Sequence, residues 1–208
     1  MRFALATLLT FTLAVPAHAQ LGLHLIGGVG SSTVLLDDED GGDTDRKFGY
    51  HAGAGLSVPV VAGIGLRFDA LYVQKGAALD ASEPGVTIEA NVDLAYFELA
   101  PFITVGNEQV YAIGGPWFAF KTSCDISIAA AGISIEQECG KDSIDIKDTD
   151  FGVAGGLGAR MRLFAGLRLG VEGIYSAGLA NVSGEGTGGD AKHQSLRGRV
   201  VVSVPLGG

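Results

Sequence analysis

The chain has 208 residues, 14 Lys+Arg against 23 Asp+Glu for a formal net charge of −9, and 47% hydrophobic residues, only 18% charged ones and 33 glycines. So apolar a chain is not intrinsically disordered, its glycines follow no collagen period, and its acidity gives no basic footprint for nucleic acid, which is excluded as a partner. The length suits one domain or at most two.

At the start, Arg2, the apolar run over residues 3–15 and the small-x-small site Ala17-His18-Ala19 predict a signal peptide over residues 1–19. The run is too short to span a bilayer as a helix, which takes about 20 apolar residues. The mature portion, residues 20–208, carries 13 basic and 23 acidic residues, a net of −10, and reads as one domain.

Period-two alternation predicts eight strands, over residues 21–35, 50–58, 64–75, 93–104, 109–124, 151–162, 167–176 and 195–206. In the third, Ile64, Leu66, Phe68, Ala70 and Tyr72 form an apolar face, with Arg67 and Asp69 on the other. In the sixth, Phe151, Val153, Leu157 and Met161 stand opposite Arg160 and Arg162. Leu169, Val171 and Tyr175 oppose Arg168 and Glu172 in the seventh, and Leu196, Val200, Val202 and Val204 oppose Arg197 and Arg199 in the eighth. Connector lengths alternate too. Long ones cover 36–49, 76–92, 125–150 and 179–194; short ones cover 59–63, 105–108 and 163–166. Long loops on one side and tight turns on the other predict an all-β fold, an eight-stranded antiparallel up-and-down transmembrane β-barrel that closes without leaving an edge.

The long connectors with their flanks hold 19 of the 23 acids, seven of them in the third, and only five bases, for a net of −14. In the first, residues 37–45 contain six acids in nine residues. Asp38, Asp40, Asp43 and Asp45 partly match a calcium loop but lack its distal bidentate Glu; a solvated, self-repelling loop is the other reading. Bridging through divalent ions to lipopolysaccharide phosphates is a third. The third connector carries the two cysteines, Cys124 and Cys139, and export favours a disulfide between them. Pairing them sets Ile126 opposite Gln137 and Ile128 opposite Ile135, with Ala131-Gly132 at the turn of a stapled β-hairpin.

Two groups define the barrel's faces. Beside the long connectors, on the apolar parity, stand Tyr50, Tyr72, Phe97, Phe120, Phe151 and Tyr175, an aromatic girdle at the level where amphipathic rings meet lipid headgroups. A soluble lipocalin-like barrel would have no reason to align them. The opposite parity holds Arg67, Asp69, Glu98, Arg160, Arg162, Arg168, Glu172, Arg197 and Arg199. Eight strands leave an interior only wide enough for side chains, so these nine predict a plug of paired charge; a small anion-selective passage is the alternative.

The segments Phe48-Gly49-Tyr50-His51-Ala52-Gly53, Ala70-Leu71-Tyr72-Val73-Gln74-Lys75-Gly76, Tyr96-Phe97-Glu98-Leu99-Ala100-Pro101, Ala112-Ile113-Gly114-Gly115-Pro116-Trp117 and Asp150-Phe151-Gly152-Val153-Ala154-Gly155-Gly156 together resemble the outer-membrane β-barrel domain family often labelled porin-like or PorT-like. The likeness runs over nearly all of residues 20–208. It implies a barrel of OmpA or OmpX size in the outer membrane of a Gram-negative bacterium, with long loops extracellular and termini periplasmic. Its implied partners are outer-membrane lipid and lipopolysaccharide, the barrel-assembly machinery and a surface protein. The chain departs from the pattern at its end, where Val204-Pro205-Leu206 stands in place of a terminal aromatic. The mature histidines His24, His51 and His193 show no Ser-His-acid spacing, so the expected role is structural or surface-interacting, with no enzyme activity and no cofactor. A small pore or ligand-uptake barrel and a lipid-A-modifying enzyme are the other readings.

Overall fold

A computed structural model describes residues 21–36, 45–83, 86–130, 133–139, 147–180 and 191–206. The expected signal peptide over 1–19, the acids Asp38, Asp40 and Asp43, and the turn Ala131-Gly132 lie outside these residues.

Nine strands succeed one another: β1 (Leu21–Leu36), β2 (Asp45–Val61), β3 (Ile64–Glu83), β4 (Val86–Gly106), β5 (Val110–Ala130), β6 (Ile133–Glu138), β7 (Thr149–Arg162), β8 (Arg168–Gly178) and β9 (Ala191–Leu206). Eight of them, all but β6, form one antiparallel sheet in which each pairs with its barrel neighbours in sequence, while β1–β9 pairing closes the ring. No sheet edge is left along the barrel wall, so no row of backbone groups there goes without a neighbouring strand. β6 pairs only with β5 and stands beyond the wall as a hairpin. Its register sets Ile126 opposite Gln137 and Ile128 opposite Ile135. Cys124 and Cys139 are disulfide-bonded at its base with Cα atoms 5.4 Å apart.

Two sequence expectations change here. The sequence predicts a long connector over residues 76–92, yet β3 and β4 stay paired until Glu83 faces Val86. The backbone ladder does not need the apolar alternation that ceases there, so the ribbon outruns the periodic signal. The fifth strand likewise runs on to Ala130, with a bulge at Thr122 where pairing steps from Tyr96–Lys121 to Ala95–Ser123. The extra residue reverses which parity faces inward, so Trp117 and Ala119 on one side of it and Ile126 on the other are all buried.

Short turns join β2 to β3, β4 to β5 and β7 to β8 at one end, the turn end. In the last, Ala165 and Gly166 adopt positive φ (54° and 77°), a tight reversal that glycine accommodates without strain. Along each strand the two faces alternate. β7 reads exposed, buried, exposed, buried over Thr149–Ala154, and the outward positions there and elsewhere are large apolar residues such as Leu25, Phe68, Leu157, Val171 and Val200. The inward face holds the buried polar residues, so the barrel has an apolar outside and a charged lumen.

Candidate functional site: the charged lumen

Four strands from the two halves of the chain meet across the middle of the lumen. Arg67 on β3 donates to its neighbour Asp69 through both Nε (2.7 Å) and Nη2 (3.0 Å), and through Nη1 to Glu172 on β8 (2.5 Å). Arg199 on β9 reaches the other Glu172 oxygen through Nε and Asp69 Oδ2 through Nη1 at 3.2 Å. The Tyr111 hydroxyl on β5 donates to Glu172 as well. None of the four charged residues is more than 4% exposed. Two guanidinium forks and two carboxylates cancel in charge, and forked Arg–carboxylate geometry satisfies several polar atoms at once, which makes burial of charge tolerable. Glycines make the room. A Cβ on Gly55 would strike the Asp69 carboxylate, and one on Gly158 would strike the Tyr111 ring.

Nearer the long-loop end lies a second neutral layer. Arg197 on β9 donates to Glu98 on β4 and to Ser176 Oγ, each at 2.7 Å. Lys75 Nζ lies 3.3 Å from Asp150 Oδ2, and His193 donates Nδ1–H to the same oxygen at 2.8 Å. The Lys75 ammonium also sits 4.1 Å above the Trp117 ring and 5.0 Å from the Tyr96 ring, a cation–π cage that offsets part of its lost hydration. Trp117 Nε1–H donates to the Val153 carbonyl at 3.2 Å. The cavity bordering this layer, lined by His51, Lys75, Ser195 and Arg197 among others, amounts to about 10 Å³.

The turn end is different. Arg160 donates to the Glu108 and Asn107 carbonyls, each at 3.1 Å, and stacks 4.9 Å from the Tyr111 ring, with no carboxylate partner among the described residues. Arg168 keeps the inward parity of β8 and lines the same space. That space is a cavity of about 530 Å³.

Of the nine inward charges expected from the sequence, six (Arg67, Asp69, Glu98, Glu172, Arg197 and Arg199) meet in the two layers and two (Arg160 and Arg168) line the turn-end cavity. Arg162 departs. It keeps the inward parity, but it ends β7 beyond the lumen, with a side chain 61% exposed and paired to Glu108. Asp150 departs the other way: counted with the acidic third connector, it is 2% exposed inside the wall, since its neighbour Phe151 points out. Lys75, His193, Tyr96, Trp117 and Tyr111 are lumen partners that sequence reasoning missed. Parity was the available signal, for Lys75 shares the odd positions of Arg67 and Asp69, and His193 those of Arg197 and Arg199.

The six girdle residues all point outward, between 40% and 52% exposed. Tyr72, Phe97 and Phe120 lie in direct register across β3, β4 and β5, Phe118 faces Phe151 across β5 and β7, and the Tyr50 and Tyr72 rings stand 6.2 Å apart. For the calcium pattern, only the backbone of Asp45 is described; among the described residues no group of three or more His, Cys, Asp and Glu is placed to hold a metal. No helix of the described residues is long and apolar enough to cross a membrane, which says nothing of crossing by strands.

The family described as outer membrane protein beta-barrel domain matches residues 3–202. Similar solved structures include Ail, the attachment invasion locus protein of Yersinia pestis, in complex with the heparin analogue sucrose octasulfate, at 14% identity over 89% of this chain and 99% of that one (TM-score 0.44). Neisserial surface protein A aligns at 12% identity over 86% of this chain and 96% of its own (TM-score 0.45). The outer membrane protease OmpT of Escherichia coli aligns at 9% identity over 90% and 96% (TM-score 0.30). No curated protein matches the sequence.

Proposed function

The chain belongs to the outer membrane protein beta-barrel domain family and is an integral outer-membrane barrel, and from that premise we propose that it works as a closed, non-enzymatic barrel whose acidic loops and stapled hairpin form an interaction surface. In this reading the membrane is that of a Gram-negative bacterium, the leader over 1–19 is removed, the long-loop end faces outside and both termini face the periplasm. Lipopolysaccharide surrounds the rim, and the barrel-assembly machinery inserts the chain. With Asp150 turned into the lumen, the long connectors keep a net of −13 (the −14 less one acid), which selects a partner with a basic surface, met through salt-sensitive attraction.

One observation carries the reading: two charge-neutral layers of buried side chains cross the lumen between its turn end and its long-loop end. Buried, paired side chains reaching across the lumen count against the pore. The pair that most resembles catalytic machinery, His193 with Asp150, is only 3% and 2% exposed, with Lys75 on the same carboxylate, which counts against a lipid-modifying enzyme. Binding to the chain in vesicles, assayed with a basic protein such as cytochrome c, is expected to fall when residues 125–148 are deleted and at about 1 M salt, where the Debye length is about 3 Å. Planar bilayers holding the intact protein are expected to show no conductance steps. Steps, or binding indifferent to both the deletion and salt, refute it.

A further inference from the structure

The lumen's charge is not evenly compensated. Arg67 and Arg199 balance Asp69 and Glu172, and Lys75 and Arg197 balance Glu98 and Asp150. Arg160 and Arg168 remain, both at the turn end. Glu108 is the carboxylate lining that end, and it is taken by Arg162 at the exposed rim. Arg168 has neither ion pair nor hydrogen bond among the described residues. Arg160 spends Nε and Nη2 on two carbonyls, leaving Nη1 free.

Register places a further donor beside them. His24 on β1 faces Ser203 on β9, which faces Arg168 on β8, so the three form one row across adjacent strands. His24 Nδ1 lies 2.7 Å from Ser203 Oγ, while its Nε2 has no protein partner although the residue is only 6% exposed. The serine hydroxyl can donate to or accept from Nδ1; an anion in the cavity selects the tautomer in which it donates, with the proton on Nε2 facing the cavity lining. A buried polar atom without a partner is costly, and this one lines the same cavity as two uncompensated arginines.

We propose that this vestibule binds a phosphate-bearing anion, held by Arg168, Arg160 Nη1 and His24 Nε2–H. A carboxylate offers two oxygens, whereas three separate donor groups match the three peripheral oxygens of a phosphate, and guanidinium forks suit that geometry. A volume of about 530 Å³ lies in the range of small-molecule sites, and the wall of Leu21, Val58, Pro59 and Pro205 leaves room for an apolar body beside the phosphate. The site is independent of the surface role proposed above.

The test uses the intact protein in a non-ionic detergent without phosphate, with inorganic phosphate as the calorimetric probe. Saturable binding is expected, at least tenfold weaker in Arg168→Ala, intermediate in Arg168→Lys and unchanged in Arg46→Ala at the exposed long-loop end. Arg168 has no partner to strand, and heat-modifiability on gels verifies that each variant is folded. A short-chain phosphatidylglycerol that displaces phosphate assigns the ligand to a lipid headgroup; a soluble phosphomonoester that displaces it when the lipid does not assigns a free solute. Absence of saturable phosphate binding overturns the proposal, and so does equal binding by Arg168→Ala and the parent.

Discussion

Glu172→Ala is the most informative single change in the lumen. The carboxylate accepts from Arg67 Nη1, Arg199 Nε and the Tyr111 hydroxyl, all buried. Without it, Asp69 alone must serve two guanidinium groups, the layer gains an uncompensated positive charge, and the Tyr111 hydroxyl loses its acceptor. Removing one partner of a buried pair costs about 3–5 kcal/mol, chiefly because a desolvated charge is left behind. At about 1.4 kcal/mol per decade, the folded-to-unfolded ratio falls by roughly two to three and a half orders of magnitude. Urea unfolding in detergent reads this directly through Trp117, the only tryptophan, which is 1% exposed in the lumen. Adding Arg199→Ala to Glu172→Ala restores neutrality, because Arg67 and Asp69 still hold each other by two hydrogen bonds. The double variant should therefore be more stable than the two single losses added together, with a coupling of about 1–3 kcal/mol. A Glu172→Ala midpoint within about 0.5 kcal/mol of the parent, or strict additivity, would refute the reasoning.

Three other outcomes are expected from the geometry. Val200→Arg, on the outward face midway along β9, should cost about 2–4 kcal/mol in lipid vesicles, whereas Leu163→Arg at the turn end should cost about 0–1; equal costs would deny that the outward face meets lipid. Gly158→Ala pushes the Tyr111 ring away from Glu172 and should destabilise by about 1–3 kcal/mol, with Tyr111→Phe in the same chain lessening the penalty; thermal melts of the two variants decide it. Reducing the Cys124–Cys139 bond should speed amide exchange over residues 126–137 and leave the barrel's heat-modifiability unchanged, because β6 pairs with β5 alone; a lower barrel melting point on reduction would contradict it.

How much of the barrel is legible in the sequence depends on the kind of signal. Period-two alternation is strong where one face is large and apolar, so the eight wall strands and the outward Tyr50, Tyr72, Phe97, Phe120, Phe151 and Tyr175 can be read directly. The hairpin register comes from two cysteines and a Gly-containing turn. Strand ends are obscure, since β3 and β4 continue past Gly76 on backbone pairing that leaves no trace in polarity. Asp150 and Lys75 are hidden for a related reason: each borders a long connector, where charge reads as solvent exposure. Trp117 and Tyr96 mislead differently, because aromatics suggest the girdle while these two turn inward to cage Lys75. Which arginines lack partners is beyond reach, since that is decided by how strands distant in sequence stack across the lumen.

The four acid–base contacts Arg67–Glu172, Asp69–Arg199, Lys75–Asp150 and Glu98–Arg197 have one property in common. Each joins β3 or β4 to β7, β8 or β9, over sequence separations from 75 residues (Lys75–Asp150) to 130 (Asp69–Arg199). An open, half-wound sheet would leave Lys75 without Asp150 and Glu98 without Arg197 in an oily environment, and Arg67 and Arg199 each with one carboxylate in place of two. Ring closure is therefore a cooperative latch, in which the staves gain their cross-lumen partners together or not at all. Two fragments separated within residues 140–146 would carry the matching halves of that latch and should recognise each other when refolded as a mixture, while either alone stays unassembled.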